Sequence, residues 1–262
     1  MTNAALHVAR TGLDAQSAKM RVIANNLANV NTTGFKRERA QFETLAYQTL
    51  VTPGSASSAE NRYATGLSLG GGVQMTGTAR MNTSGSVNTT DNPYDLAIEG
   101  DGYFQLTMPD GSIGYTRAGD FSLSADGTIV TPDGMPLQPQ IQVPEGAENV
   151  TIGADGTVSA QLAGQNAPTE LGRIELARFV NPAGLQAKGN NILVETAASG
   201  APQIGAAGLD GRGSIRQGAL EGSNVNVVQE LVDMIETQRA YEVNSKMISA
   251  TDEMLRTANQ QL

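Results

Sequence analysis

The sequence predicts an α+β chain, with a long helix at each end and an all-β, hairpin-rich region between them. Three observations carry this. Apolar residues near the N-terminus recur at spacings of 3 and 4, the last forty residues repeat that pattern, and six Asp-Gly pairs punctuate alternating apolar runs in the middle.

The first helix is read from Leu6, Ala9, Leu13, Gln16, Met20, Ile23, Leu27 and Val30, an a/d seam of more than three heptads interrupted by one polar residue. A helix from Asn3 to Val30 would be about 40 Å long at 1.5 Å per residue. It has no strong cap and would be marginal alone in water. The second helix opens on Asn226, an N-cap type, with Gln229 three residues on. Leu231, Met234, Gln238, Tyr241, Ser245, Ile248, Asp252, Leu255 and Leu262 form its seam. A second stripe, Ala240, Val243, Met247, Ala250 and Met254, lies about 200° round the helix, two residues being ~100° each. A helix apolar on two faces is predicted to sit between two partners. The first helix is one, and the simplest second is another copy of the chain. The alternative is packing on the β-rich middle.

In the middle, Asp101-Gly102, Asp110-Gly111, Asp126-Gly127, Asp133-Gly134, Asp155-Gly156 and Asp210-Gly211 are hairpin signals. "NVTIGADGTVSAQL" reads as a hairpin, and "LGRIELARFV" and "NNILVETA" as further strands. No helical pattern interrupts them, which argues against a parallel βαβ sheet. "YQTLVTPGSASSAENRYATGLSLGGG", from Tyr47 to Gly72, reads by composition as a linker or long loop.

Composition narrows function. Lys+Arg is 17 against Asp+Glu 26, a net charge of −9, which argues against a nucleic-acid partner. There is no cysteine and one histidine, His7, so disulfides, thiolate metal sites and multi-histidine sites are excluded. "GLSLGGG" lacks the Lys-Ser/Thr of a P-loop, "DGTIVTPDG" lacks oxygen donors at alternate calcium-loop positions, and a Ser-His-Asp triad would have to use His7. The expectation is no catalytic residue, no metal and no cofactor. "MTNAALHVARTGLDAQ" does not read as a signal peptide, and no apolar run reaches the ~20 residues of a membrane helix.

One stretch is odd for a helix end. "ANNLANVNTTGFKRER", Ala24 to Arg39, carries Asn25, Asn26, Asn29 and Asn31, then Gly34 and Phe35, then a burst of positive charge. Asparagine weakens a helix because its amide competes for the backbone. "GLDAQSAKMRVIANNLANVNTTGFKRER" resembles the N-terminal signature of the flagellar basal-body rod and hook proteins. "EGSNVNVVQELVDMIETQRAYEVNSKMISATDEML" resembles their C-terminal signature, and "NPYDLAIEGDGYFQL" and "YTRAGDFSLSADGTIVTPDG" the middle of their longer members. Nearly the whole chain is covered. Length and a "PGSxSS…G" insertion (Pro53, Gly54, Ser55, Ser57, Ser58, Gly66) are similar to the distal-rod members; a proximal-rod or hook-type member is the alternative.

The resemblance implies a structural subunit of a rigid hollow helical tube that transmits motor torque and lets export substrates pass. It divides the chain into an inner coiled-coil domain (1–33 and 223–262), a connecting segment (34–72, insertion about 47–66) and a β-rich outer domain (73–222). Leu6, Leu13, Met20, Ile23, Leu27, Leu231, Met234, Tyr241, Ile248 and Leu255 would build the inner layer. The asparagine amides would satisfy backbone groups of neighbouring subunits, Gly34 would allow a tight turn, and Phe35 would anchor the chain beneath the wall. Lys36, Arg37 and Arg39 would pair with acids on adjacent copies, and the insertion would stiffen the tube. Implied partners are further copies of the chain, proximal rod proteins, the hook protein, the P-ring and L-ring proteins as a bushing, a rod cap protein and the flagellar type III export apparatus. The implied place is the basal-body rod from periplasm to outer membrane, reached without a cleaved signal. A peptidoglycan hydrolase lacks a residue constellation here, and a secreted β adhesin leaves the paired terminal helices unexplained.

Overall fold

The structure is a computed structural model that describes residues 2–56, 61–162 and 167–260. The chain falls into two compact units. One comprises 1–27, 38–79 and 226–262, the other 28–37 and 80–225.

The first unit holds both long helices, α1 (Thr2–Ala28) and α2 (Val227–Gln260). The N-cap of α2 is Asn226: its Oδ1 accepts from the backbone N–H groups of Val228 (3.0 Å) and Gln229 (3.2 Å). Gln229 does not reach back to complete a capping box, and donates instead to Asp233 one turn on. Two contacts set the helices side by side and antiparallel. Asn26 on α1 donates to Glu230 on α2, and a Cβ on Gly12 would stand 3.0 Å from Asn244 Nδ2. Both steps span fourteen residues, one back along α1 and one forward along α2. Gly12 thus matters for closeness, since a larger side chain would press on Asn244.

In the same unit, strand Glu38–Thr44 pairs with Val73–Arg80, and Gln48–Val51 pairs antiparallel with Leu67–Leu69. The segment expected as a linker is therefore a two-stranded ribbon. Its turn is tied by Gly54 N–H to Tyr63 O and Tyr63 N–H to Ser55 O, both 2.9 Å. Gly66 lies against the Pro53 ring and Val51 O, where a Cβ would meet atoms at 2.6 Å. The short alternation of "QTLV" and "LSL" was hidden in Ser/Ala/Gly-rich surroundings. Ser57 and Ser58 of the insertion lie outside the described residues.

The second unit is all β. A seven-stranded sheet runs Gln186–Gly189, Ile192–Val194, Ile113–Thr116, Tyr103–Thr107, Glu175–Arg178, Gln203–Ala206, with Leu137–Gln138 also paired to Tyr103–Thr107. A three-stranded sheet follows from Ala147–Ile152, Thr157–Leu162 and Thr169–Arg173. Ser214–Gln217 pairs with Leu96–Glu99, and Ala219–Glu221 with Val87–Thr89. Four Asp-Gly pairs close antiparallel turns, at Gly111, Gly127, Gly134 and Gly156, each with positive φ. Asp101-Gly102 and Asp210-Gly211 differ: the strands they join pair with other strands.

Period-2 alternation buries the large sheet on both faces. Phe104, Leu106 and Leu176 join the main core with Phe121, Ile129 and Leu137; Tyr103, Tyr115, Ala177 and Leu193 face the other way onto Phe179. Edge-to-face rings lock each side, Phe104 on Phe121 at 5.1 Å and Tyr115 on Phe179 at 4.8 Å.

Burial, then the nearby Glu195 carboxylate, pushes the Tyr115 phenol up to about 12 from an ordinary 10.0. The folded state favours the neutral ring, so this contribution is complete below pH 10 and is lost as pH rises through about 12. Alkaline titration followed by near-UV circular dichroism should show the β unit unfolding in that window, and Tyr115→Phe should move the midpoint to higher pH.

Candidate assembly site

No cluster of three His, Asp or Glu side chains stands close enough to hold a metal among the described residues, and no described helix is long and apolar enough to cross a membrane. What the chain has instead are two buried polar knots and several open apolar faces.

The first knot is in the helical unit. Asn26 is 1% exposed. Its Nδ2 donates to Glu38 O (2.8 Å) and to Glu230 Oε2 (3.1 Å), and its Oδ1 accepts from Glu38 N–H (2.9 Å). One amide thus joins the end of α1, the start of the first strand and the first turn of α2. These hydrogen bonds of Asn26 are made within the chain, whereas the sequence suggests backbone groups of neighbouring subunits. Asn29 accepts from Thr32 and starts the turn that leaves α1; Asn25 and Asn31 are exposed.

The second knot is in the β unit, around Glu221, 1% exposed. Lys36 Nζ donates to Glu221 Oε1 at 2.7 Å and to Thr83 O at 2.8 Å. Arg117 Nε donates to Glu221 Oε2 at 3.0 Å, while its other nitrogens reach Gly100 O and Gly102 O. Gly85 N–H donates to Glu221 Oε1, and Gly34 N–H to Glu221 O at 2.8 Å. Gly34 has φ +69°, and a Cβ there would strike Ala118 N at 2.5 Å, so only glycine fits. Phe35, next to it, is half-buried. Burial, then the Arg117 charge, holds Lys36 below the ordinary lysine range, against the pull of Glu221. Within the chain, Lys36, expected to pair with acids of an adjacent copy, already has Glu221 as a carboxylate partner. Beside this knot, Asn224 Oδ1 accepts from Arg37 N–H (2.6 Å) and its Nδ2 donates to Met81 O and Thr83 O. Glu221, Arg117 and Asn224 were missed from sequence. The available signal was a lone Arg inside the apolar run "IGYTRAGDF" and a Glu closing "GAL" before "GSN".

The open faces lie in the helical unit. On α2 the face turned toward the rest of the unit is polar at heptad spacing: Glu230 and Thr237 are buried, and Asn244 and Thr251 half-buried. Met234 and Ile248 flank this row half-buried, whereas Leu231 and Tyr241 of the expected seam are exposed; the side chain of Leu255 lies outside the described residues. The difference is physical: α1 offers small residues here. Ala9, Ala15, Ala18 and Ile23 are its buried apolar side chains, while Leu6, Leu13, Met20 and Leu27 are half-buried. Left open on α2 are Val228 (71% exposed), Val232, Ile235 (51%), Val243, Met247 and Met254. The ribbon likewise exposes Tyr47, Leu50, Tyr63, Leu67 and Leu69. Contiguous exposed apolar surface of this kind marks an interaction site.

The three segments that build the knots and the helices also carry the family matches. Residues 6–36 match the family described as flagella basal body rod protein, 97–160 the flagellar hook protein FlgE/F/G D1 domain, and 216–261 the flagellar basal body rod FlgEFG protein C-terminal. Lys36, Arg117 and Glu221 come one from each. The chain belongs to the flagellar basal-body rod and hook protein family, whose members are structural and not enzymes. It is similar, more particularly, to the flagellar basal-body rod protein FlgG: 49% identical to that of Buchnera aphidicola from Acyrthosiphon pisum over 255 residues, covering 97% of this chain and 98% of the relative. In Caulobacter vibrioides, FlgG is 47% identical (98% of both chains), against 34% for FlgF (92% and 90%). The chain is a structural subunit of the flagellar basal-body rod.

The Glu221 knot makes a differential prediction. One acid balances two bases, so Glu221→Gln leaves two buried cations, whereas Lys36→Met leaves a neutral Arg117–Glu221 pair. Denaturant unfolding should show Glu221→Gln costing about 3–5 kcal/mol and Lys36→Met clearly less.

Proposed function

We propose that this subunit polymerises into the rigid, hollow, helical distal rod, which transmits motor torque to the hook and lets export substrates pass along its channel. The observation that carries the proposal is α2: one face is committed to a polar seam within the chain, and the other presents Val228, Val232, Ile235, Val243 and Met247 to solvent. That second face, with Leu231 and Tyr241, packs on terminal helices of neighbouring copies as the coiled-coil inner layer lining the channel. Leu6, Leu13, Met20, Ile23, Leu27, Met234, Ile248 and Leu255 complete that layer. Most of the β unit lies in the outer wall.

The inner domain is formed by residues 1–33 and 223–262, the connection by 34–72 and the wall by 73–222. The rod stands in the basal body between periplasm and outer membrane, and the subunit is exported by the flagellar type III apparatus without a cleaved signal. Its neighbours are proximal rod proteins below, the hook protein above, a rod cap at the growing end, and the P- and L-rings around it. The higher identity to FlgG than to FlgF within one organism supports the distal-rod reading. The ribbon bearing Pro53, Gly54, Ser55 and Gly66, with its exposed Tyr63 and Leu67, lies along neighbouring subunits and stiffens the tube. A chain lacking Thr52 to Gly66 should still polymerise but form tubes of shorter persistence length in electron micrographs. Unchanged stiffness rejects that role.

A further inference from the structure

The β unit holds a small cavity beside the Glu221 knot, of about 150 Å³, lined by Lys36, Asn82, Asp101, Tyr103, Arg117 and Arg178 among others. Val180, also in its wall, is 80% exposed and marks the open side. The volume suits a side-chain tip; drug-sized ligands take roughly 300–1,000 Å³. Its charge is lopsided for a chain of net charge −9: three cations line it against Asp101, with Glu221 behind offsetting one. Burial raises the Tyr103 phenol's pKa, while first Arg117 and then Arg80 pull it down, so positive charge converges here from more than the lining residues.

The donors differ in what they have left to give. Arg117 is fully engaged by Glu221, Gly100 O and Gly102 O. Lys36 spends two of its three N–H groups on Thr83 O and Glu221. Among the described residues, Arg178, with five donors, makes a single hydrogen bond, to Asp210 O at 3.3 Å. Asn82 Oδ1 is the buried side-chain polar atom without a hydrogen-bond partner among the described residues. A buried acceptor without a donor is costly, and a half-turn of the amide would exchange it for Nδ2, a donor.

We infer that this cavity receives one carboxylate side chain, Asp or Glu, from a second copy of this chain, an inference that rests on the polymer reading above. The carboxylate accepts from Arg178 and from the spare Lys36 N–H. The Asn82 amide turns about its last bond to donate its Nδ2, and Val180 covers the incoming methylenes. The guest offsets the charge surplus and gives the turned Asn82 Nδ2 an acceptor. Charged pairs of this kind fix register between partners more than they add raw affinity.

The test has two arms. In the first, the isotope-labelled full chain, kept below its polymerising concentration, is titrated with glutarate and followed by NMR. The Asn82 and Arg178 side-chain resonances should shift saturably, and Arg178→Glu should abolish the shift with circular dichroism unchanged. In the second, polymer growth is followed by sedimentation. Arg178→Glu, and Asn82→Asp, which places the chain's own acid in the cavity, should each slow growth about tenfold; Arg173→Glu, on an exposed strand, should not. Shifts with glutarate but parental growth of both variants would show a site for small carboxylates only and overturn the second copy as partner. Absence of both effects would overturn the site. If the parent chain forms no polymer, the rod reading and the second copy fall together, while the glutarate arm still decides whether the cavity takes a carboxylate.

Discussion

A single carboxylate, that of Glu221, holds together the places where the chain leaves its β unit. It lies between Lys36, just after the turn out of α1, and Arg117, in the middle of the β fold, with Gly85 N–H as a further donor. Removing such a group from water is expensive and is recovered only when hydrogen bonds satisfy it on all sides. Here they do, and the consequence is topological. Residues separated by 185 and 104 positions are pinned to one point, so the segments leading to both terminal helices start from fixed positions. Asn224 repeats the device one step further on, joining Arg37 to Met81 and Thr83.

The helical unit is built on the opposite logic. Its internal seam is narrow, made of alanines and glycine on α1 and of Glu230, Thr237 and Asn244 on α2, with Asn26 as the polar latch. Small residues bring helices close but bury little apolar area, and stabilisation follows the area removed from water. The larger apolar side chains of α2 face outward. A monomer arranged this way has a firm β unit and a helical pair whose larger apolar surfaces are unspent.

Much of this could be read from residues alone, and the failures have physical reasons. Asp-Gly pairs located four turns because type-specific turn chemistry is local, and Asn226 as N-cap was legible for the same reason. Asp101-Gly102 misled as a hairpin because pairing partners are chosen by the sheet and not by the turn. Gly34 was readable as a turn residue, but that its Cβ would meet Ala118 was not, since the clash is with backbone more than 80 residues away. The Glu221 knot was illegible for the same cause: isolated charges in sequence are usually solvated, and no spacing links residues 36, 117 and 221. On α2 the periodicity was right but the choice between two apolar stripes was not fixed by it, and the internal face turned out to be the polar row between them.

The measurement that bears most directly on this account is sedimentation velocity of the full chain over a wide concentration range, with far-UV circular dichroism on the same samples. A monomer with both helices formed is expected at low concentration, and long polymers that enclose α1 and α2 as concentration rises, with little change in helical signal. A chain that stays monomeric at every concentration would contradict this, because the open face of α2 would then need no partner.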